Sequence, residues 1–197
     1  MEFIQLCKMV KKNACVFISG FGSNLKSLIF NSRNVNFPIN IKLVVSNNPK
    51  APGLLYAKKY SIPFLIINTK RRDYENIILK EMKKFKITII CLAGYMKILS
   101  KKFIINNKYI KIINIHPSLL PKFKGLNTFE RIIQNNEKKT GCTVHFVNEK
   151  LDSGKIIIRK EFFIDKRFDN ITRIKDKTQK LEYKAFSEAL IKMYRYN

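Results

Sequence analysis

The sequence predicts an α/β protein: an open, mostly parallel twisted sheet with helices on both faces and an antiparallel element at its C-terminal end. Three observations carry this. Short apolar runs alternate with segments of helical spacing from Ala14 to Ile115. Those runs are almost continuously apolar, as in strands covered on both faces. After Gly141 the pattern changes to two strand-like runs joined by one short turn.

Ala14–Ser19 (A-C-V-F-I-S) is the first strand; it stops at Gly20 and Gly22, and Leu25–Phe30 reads as the first turns of a helix. Ile39–Ser46 is the second strand, followed by a Pro/Gly turn over Asn47–Gly53 and a helix over Leu54–Tyr60. Pro63–Ile67 is the third apolar run. Arg72–Phe85 has helical spacing, with Tyr74, Ile77, Ile78, Leu79 and Met82 on one face. Ile87–Ala93 and Lys111–Ile115 are the fourth and fifth strands. Cys142–Asn148 and Ile156–Ile164, joined by Glu149–Lys155, form the antiparallel end. Asn170–Tyr194 is a closing helix, capped by Asn170 or Thr172.

The 197 residues suit one domain, expected to span 1–197, and 46% hydrophobic with 27% charged residues is globular rather than disordered composition. No run approaches the ~18 apolar residues of a membrane span. Met1–Asn13 lacks the apolar run and cleavage site of a signal peptide, so a soluble, cytoplasmic protein is expected. Cys7, Cys15, Cys91 and Cys142 form no C-x-x-C pair, which argues against a zinc site or a disulfide framework and fits a reducing compartment. No metal is expected.

Net charge is +25, from 39 basic and 14 acidic residues. Such a balance invites a nucleic-acid reading. The lysines, however, are spread along the chain, with no basic patch interleaved with aromatics, so the charge reads as solvated surface and no specific nucleic acid is expected. Acids are distributed more tellingly. Glu2 is the only one before Asp73, and none lies between Glu81 and Glu130. A Gly-rich loop and the first His both fall in acid-free stretches, which suits an anionic small molecule.

Three constellations could carry chemistry. Ser19-Gly20-Phe21-Gly22-Ser23-Asn24 lies between the first strand and first helix. Two glycines allow a tight turn, Ser23 or Asn24 can cap the helix, and its free N–H groups attract a phosphate. The loop is neither a P-loop nor a full G-x-G-x-x-G, since no G-K-[ST] follows and Leu25 replaces the third glycine. Asn114-Ile115-His116-Pro117 follows the fifth strand, at the carboxyl end where open α/β sheets bind ligands. Asn114 and His116 alternate and so share a face, where an amide can stabilise an oxyanion and an imidazole can pass a proton. Leu151-Asp152-Ser153-Gly154 is the third, and its carboxylate could hold and charge-stabilise His116. His145 is either a second polar residue of this pocket or a buried core histidine.

With these motifs the chain resembles the phosphoribosylglycinamide formyltransferase family, within the wider formyltransferases. The residues that carry the resemblance are Ile18–Leu25 (I-S-G-F-G-S-N-L), Leu92–Ser100, Ile113–Leu126, Gly141–Val147 and Leu151–Gly154, in the family's order and over nearly the whole chain. The resemblance implies a Rossmann-like formyltransferase fold. It also implies transfer of a formyl group from 10-formyltetrahydrofolate, as co-substrate, to the amino group of glycinamide ribonucleotide, in purine biosynthesis. By the same resemblance Asn114, His116 and Asp152 are catalytic. Gly22, Ser23, Asn24, Gln179 and Glu182 bind the ribonucleotide. Arg71, Met96, Lys97, Ile98 and Leu99 bind the folate, with Asn114, Asn148, Glu149, Lys150, Leu151 and Asp152. The chain departs from the family at Asn127 and Phe129, where histidines are usual, and at Ser153, where Gly is common.

Two related enzymes share the Asn-x-His chemistry. Methionyl-tRNA formyltransferases carry a further C-terminal domain, and formyltetrahydrofolate hydrolases (deformylases) an N-terminal one, and neither enzyme is the expected reading here. A basic nucleic-acid-binding module is the alternative from another class. The expected partners are small-molecule substrates, not a membrane, with monomer and homodimer both open.

Overall fold

The computed structural model describes residues 10–194; Cys7 and most of the N-terminal segment lie outside them. In chain order the elements are β1 (Lys12–Ile18), α1 (Ser23–Ser32), β2 (Ile39–Ser46), α2 (Leu54–Lys59), β3 (Phe64–Ile66), α3 (Tyr74–Lys84), β4 (Ile89–Leu92), α4 (Lys101–Asn106), β5 (Lys111–His116), α5 (Thr128–Gln134), β6 (Lys139–Phe146), β7 (Ile156–Phe163) and α6 (Ile171–Tyr194). The strands among the described residues form one sheet in the order β3-β2-β1-β4-β5-β6-β7. Pairings from β3 across to β5 are parallel, and β5–β6 and β6–β7 are antiparallel. The fold class and the antiparallel end are as the sequence predicts.

Alternation along each strand splits the core into two layers. Val16 and Ile18 of β1 face α1, α2 and α6, burying Leu25, Leu54, Phe186 and Leu190. Cys15 and Phe17 face the other way, onto Ile78 and Met82 of α3 and Phe103 of α4. Ile78 and Met82 are the buried members of the apolar face read from α3. Cys15, Cys91 and Cys142 are free and buried, as small core hydrophobes.

The sequence reading missed α4 and α5. They have six and seven residues, fewer than two turns, which is too short for a 3.6-residue period to register. Strand β1 starts earlier than expected because Lys12 and Asn13, though polar, pair with Ile39 and Asn40. The expected cap of α1 is also corrected. Gly22, left-handed at φ 69, occupies the N-cap, and no side chain caps the helix. Asn24 turns away to donate to Glu182. At α6 the open choice resolves to Asn170, whose Oδ1 accepts from the Arg173 amide at 3.0 Å.

Strand order reverses at β1, so the loops after β1 and β4 border a cleft at the carboxyl ends of the strands. Ser19 ties these loops together. Its hydroxyl donates to Asn47 Oδ1 and accepts from the Met96 amide at 2.8 Å, while its own amide donates to the Gly94 carbonyl at 3.1 Å. Behind the β1–α1 loop, glycine packs on glycine. The Gly53 amide donates to the Gly20 carbonyl at 3.0 Å, and a Cβ on Gly53 would lie 2.9 Å from Gly22 Cα and 2.8 Å from Ile18 Cδ1. Gly53 has an ordinary helical φ of −59, so its replacement tests packing alone. Gly53→Ala should destabilise the protein by about 1–3 kcal/mol through overpacking, read as a lower urea midpoint. An unchanged midpoint would refute this contact.

Candidate active site

A cavity of about 460 Å³ opens at the carboxyl ends of β4 and β5. Strand β5 delivers Asn114 and His116 to it on one face, because they are two residues apart. Antiparallel pairing sets His145 of β6 directly opposite Asn114. The β6–β7 loop brings in Asp152, whose backbone is left-handed at φ 46. That loop is pinned two residues on, where Gly154 lies so close to β6 that a Cβ would collide with the Phe146 carbonyl.

These four side chains satisfy one another. His116 Nδ1 lies 3.3 Å from Asp152 Oδ2, which also accepts from the Gly125 amide at 2.9 Å. Asn114 Nδ2 lies 3.5 Å from Asp152 Oδ1 and 3.3 Å from His145 Nε2. His145 Nε2 is 3.6 Å from the same carboxylate oxygen, and its Nδ1 donates to the Phe146 carbonyl at 2.8 Å. His145 is therefore a polar residue of the pocket, which settles the alternative left open by the sequence. His116 Nε2 lies 2.8 Å from the Phe123 carbonyl. A carbonyl only accepts, so Nε2 carries a proton, and Nδ1 is the atom whose proton depends on Asp152.

Burial sets the electrostatics. His116 is 5% and Asp152 9% exposed. Desolvation pushes the His116 imidazole below its ordinary 6.5, and the Asp152 charge and Phe123 carbonyl oppose that shift without cancelling it. For Asp152, burial would raise the carboxyl. Contacts from His145 and the Gly125 amide, with the charges of both histidines, outweigh it and hold the group below its ordinary 3.8.

The rest of the lining includes Met96, Lys97, Ile98 and Leu99, and Asn148, Glu149, Lys150 and Leu151. Leu92, Ile104 and Val147 make part of the lining apolar. A slot of this size, lined by aliphatic side chains with polar groups beside it, suits a flat aromatic ring system such as a pterin. Arg71 is the exception among the residues expected there. It is exposed, forms a two-pronged ion pair with Asp73 at 2.8 and 2.9 Å, and does not line the cavity.

Toward α6 the cavity reaches Asn24 and Glu182. Asn24 Nδ2 donates to Glu182 Oε2 at 2.8 Å, and Gln179 Nε2 donates to Ser23 Oγ at 3.1 Å. The closing helix is thus fastened to the Gly22–Asn24 loop by residues more than 150 positions apart in sequence. Asn24 Oδ1 is buried and has no hydrogen-bond partner among the described residues. Burial raises the Glu182 carboxyl, against the Asn24 hydrogen bond. The loop is acid-free in sequence but not in space, because Glu182 folds onto it.

Sequence reasoning missed the backbone groups that hold the triad, the Phe123 carbonyl and the Gly125 amide. It also missed Thr143, which accepts from the Leu120 amide at 3.1 Å and donates to the Ser118 carbonyl at 2.7 Å, fixing the loop after His116. Gly125 and its neighbours carry a turn signal, but nothing in it names Asp152 as the partner. The described residues contain no group of three or more His, Cys, Asp or Glu able to hold a metal ion, and no helix long and apolar enough to cross a membrane.

The lowered His116 pKa has a consequence for stability. Between its folded pKa and 6.5 the unfolded chain binds a proton that the folded chain does not, so stability falls as pH drops through that window. His116→Asn removes this contribution. The amount by which the wild-type Tm exceeds that of the variant should be larger at pH 8 than at pH 5, and a difference independent of pH would contradict the buried, neutral-favouring site.

Comparison with known proteins bears on the family and the fold. The family model described as Formyl transferase matches residues 12–190. The chain is 40% identical over 185 residues to the human trifunctional purine biosynthetic protein adenosine-3, covering 91% of this chain but only 18% of that protein. It is 38% identical over 180 residues to phosphoribosylglycinamide formyltransferase of Haemophilus influenzae, covering 89% of this chain and 84% of the relative. The crystal structure of phosphoribosylglycinamide formyltransferase from Brucella melitensis superposes with a TM-score of 0.87 at 33% identity, covering 95% of this chain and 97% of the other. A fold of this topology, a matched family model over almost all the described residues and relatives of this identity place the chain in the formyl transferase family.

Proposed function

We propose that this protein transfers the formyl group of 10-formyltetrahydrofolate to the amino group of glycinamide ribonucleotide. The observation that carries the reading is the meeting of Asn114, His116 and Asp152 in the lining of one cavity. The apolar side chains of the lining, with the Met96–Leu99 and Asn148–Leu151 segments, suit the folate. Asn24 and Glu182, through which the lining meets the Gly22–Asn24 loop and α6, suit the ribonucleotide. The names of the relatives favour the same substrates.

When bound, the folate supplies an electrophilic formyl carbon and a nitrogen leaving group. The side chains of this protein then have distinct tasks. Asn114 Nδ2, held only by long contacts of 3.3 and 3.5 Å to His145 and Asp152, is a neutral donor that can turn to negative charge on the formyl oxygen; such a donor is worth roughly 3–4 kcal/mol. In its protonated form His116 carries a proton at Nδ1 that it can deliver to the departing nitrogen, and the proton given up by the attacking amine restores the imidazolium. Asp152 stabilises that protonated form, and the Phe123 carbonyl holds the ring by accepting from Nε2. His116 and Asp152 are themselves buried, which limits the water beside them that could compete with the amine for the formyl carbon.

His116→Asn keeps a polar side chain but cannot carry the proton. Its kcat should fall by roughly 10²-fold or more in an assay with 10-formyltetrahydrofolate and glycinamide ribonucleotide. KM for either substrate should change far less. Full activity in this variant would overturn the mechanism, and formate release without transfer in the wild type would overturn the reaction.

A further inference from the structure

The Gly22–Asn24 loop poses a charge problem that the residues assigned so far do not solve. A phosphate there carries close to two negative charges, yet Glu182 is bonded to Asn24 beside it. Ser19–Leu25 contains no basic side chain. The adjacent Lys26 is turned to the Tyr56 ring, 5.7 Å from its centroid.

Helix α6 carries a lysine near this loop. Lys175, Gln179 and Glu182 are spaced i, i+4 and i+7, so they form one stripe. Its second and third members are the two that bond Ser23 and Asn24. Lys175 precedes Gln179 by one turn, about 6 Å along the axis, within reach of a lysine side chain. Its ammonium lies 5.6 Å from the centroid of the Phe129 ring and 3.4 Å from Glu130 Oε1. Phe129 and Glu130 both line the cavity, so the ammonium stands beside that lining, although Lys175 itself is not part of it. The Glu130 contact is long and about half exposed, and it holds the lysine only loosely.

We propose that Lys175 is the counter-cation for the phosphate of the ribonucleotide, seated on the Phe129 ring and exchanging Glu130 for the phosphate when substrate binds. This rests on the reading of Gly22–Asn24 as the phosphate loop. Lys175 touches no reacting atom, so it acts on affinity and specificity. Phe129 cannot ionise; its ring face steers the ammonium.

Steady-state kinetics with glycinamide ribonucleotide and with its dephosphorylated riboside test this. Lys175→Met should raise KM for the ribonucleotide about tenfold, the value of one charge-assisted contact. Its kcat should stay within about twofold, with no change in KM for the folate or for the riboside, as for lost uniform binding. Lys175→Arg should restore most of the affinity. Glu130→Gln frees the lysine and should lower KM for the ribonucleotide. A purely structural ion pair would instead give both partners the same loss of Tm and no change in KM, and that result overturns the proposal. So does an unchanged ribonucleotide KM in Lys175→Met while the wild type prefers ribonucleotide to riboside. If the wild type shows equal KM for the two compounds, the phosphate loop reading itself fails.

Discussion

The site depends on one buried carboxylate. Asp152 accepts at Oδ2 from the Gly125 amide and faces His116, while Oδ1 faces Asn114 and His145. Strand β5, strand β6, the loop before α5 and the β6–β7 loop therefore converge on two oxygen atoms. A charge this buried persists only where hydrogen bonds and opposite charges repay its desolvation. That requirement accounts for the left-handed backbone at Asp152 and for the close seat of Gly154 on β6, which together aim the carboxylate inward. It also gives His116 opposing influences. Burial favours the neutral ring, and Asp152 favours the charged one. A proton held on those terms is available for transfer.

Much of this was legible in the sequence because it is local. Continuous apolar runs alternating with amphipathic ones require a covered parallel sheet, and the turn to antiparallel pairing after Gly141 shows in the two runs joined by Glu149–Lys155. Asn114 and His116 are two apart on a strand, so their common face follows from the strand period alone. His145 needed the register of β6 on β5, a long-range fact that composition does not contain. The same holds for Gln179 and Glu182, whose approach to Ser23 and Asn24 depends on where α6 crosses the sheet.

The misreadings have physical causes too. Short α4 and α5 have too few turns to show a period, and their positions follow from caps and loops instead, as where Ser100 Oγ accepts from the Phe103 amide at 3.0 Å. A serine or asparagine at a helix start suggests a side-chain cap, but the left-handed Gly22 takes that position, and Asn24 is drawn to the buried Glu182. Arg71, assigned to the folate by resemblance, is not a misreading of this kind: it pairs with Asp73 on the surface and lies outside the cavity lining. Low acidity along the chain around the Gly-rich loop did not mean low acidity in space.

The central claim is that Asp152 offsets the burial of His116 and keeps its imidazolium accessible. An NMR titration of the His116 ring in the wild type and in Asp152→Asn measures this directly. The substitution preserves shape and removes the charge, leaving desolvation unopposed by its main electrostatic partner. The account predicts a lower His116 pKa in the variant, with protonation reached only at more acidic pH. A pKa that stays in place or rises would contradict it.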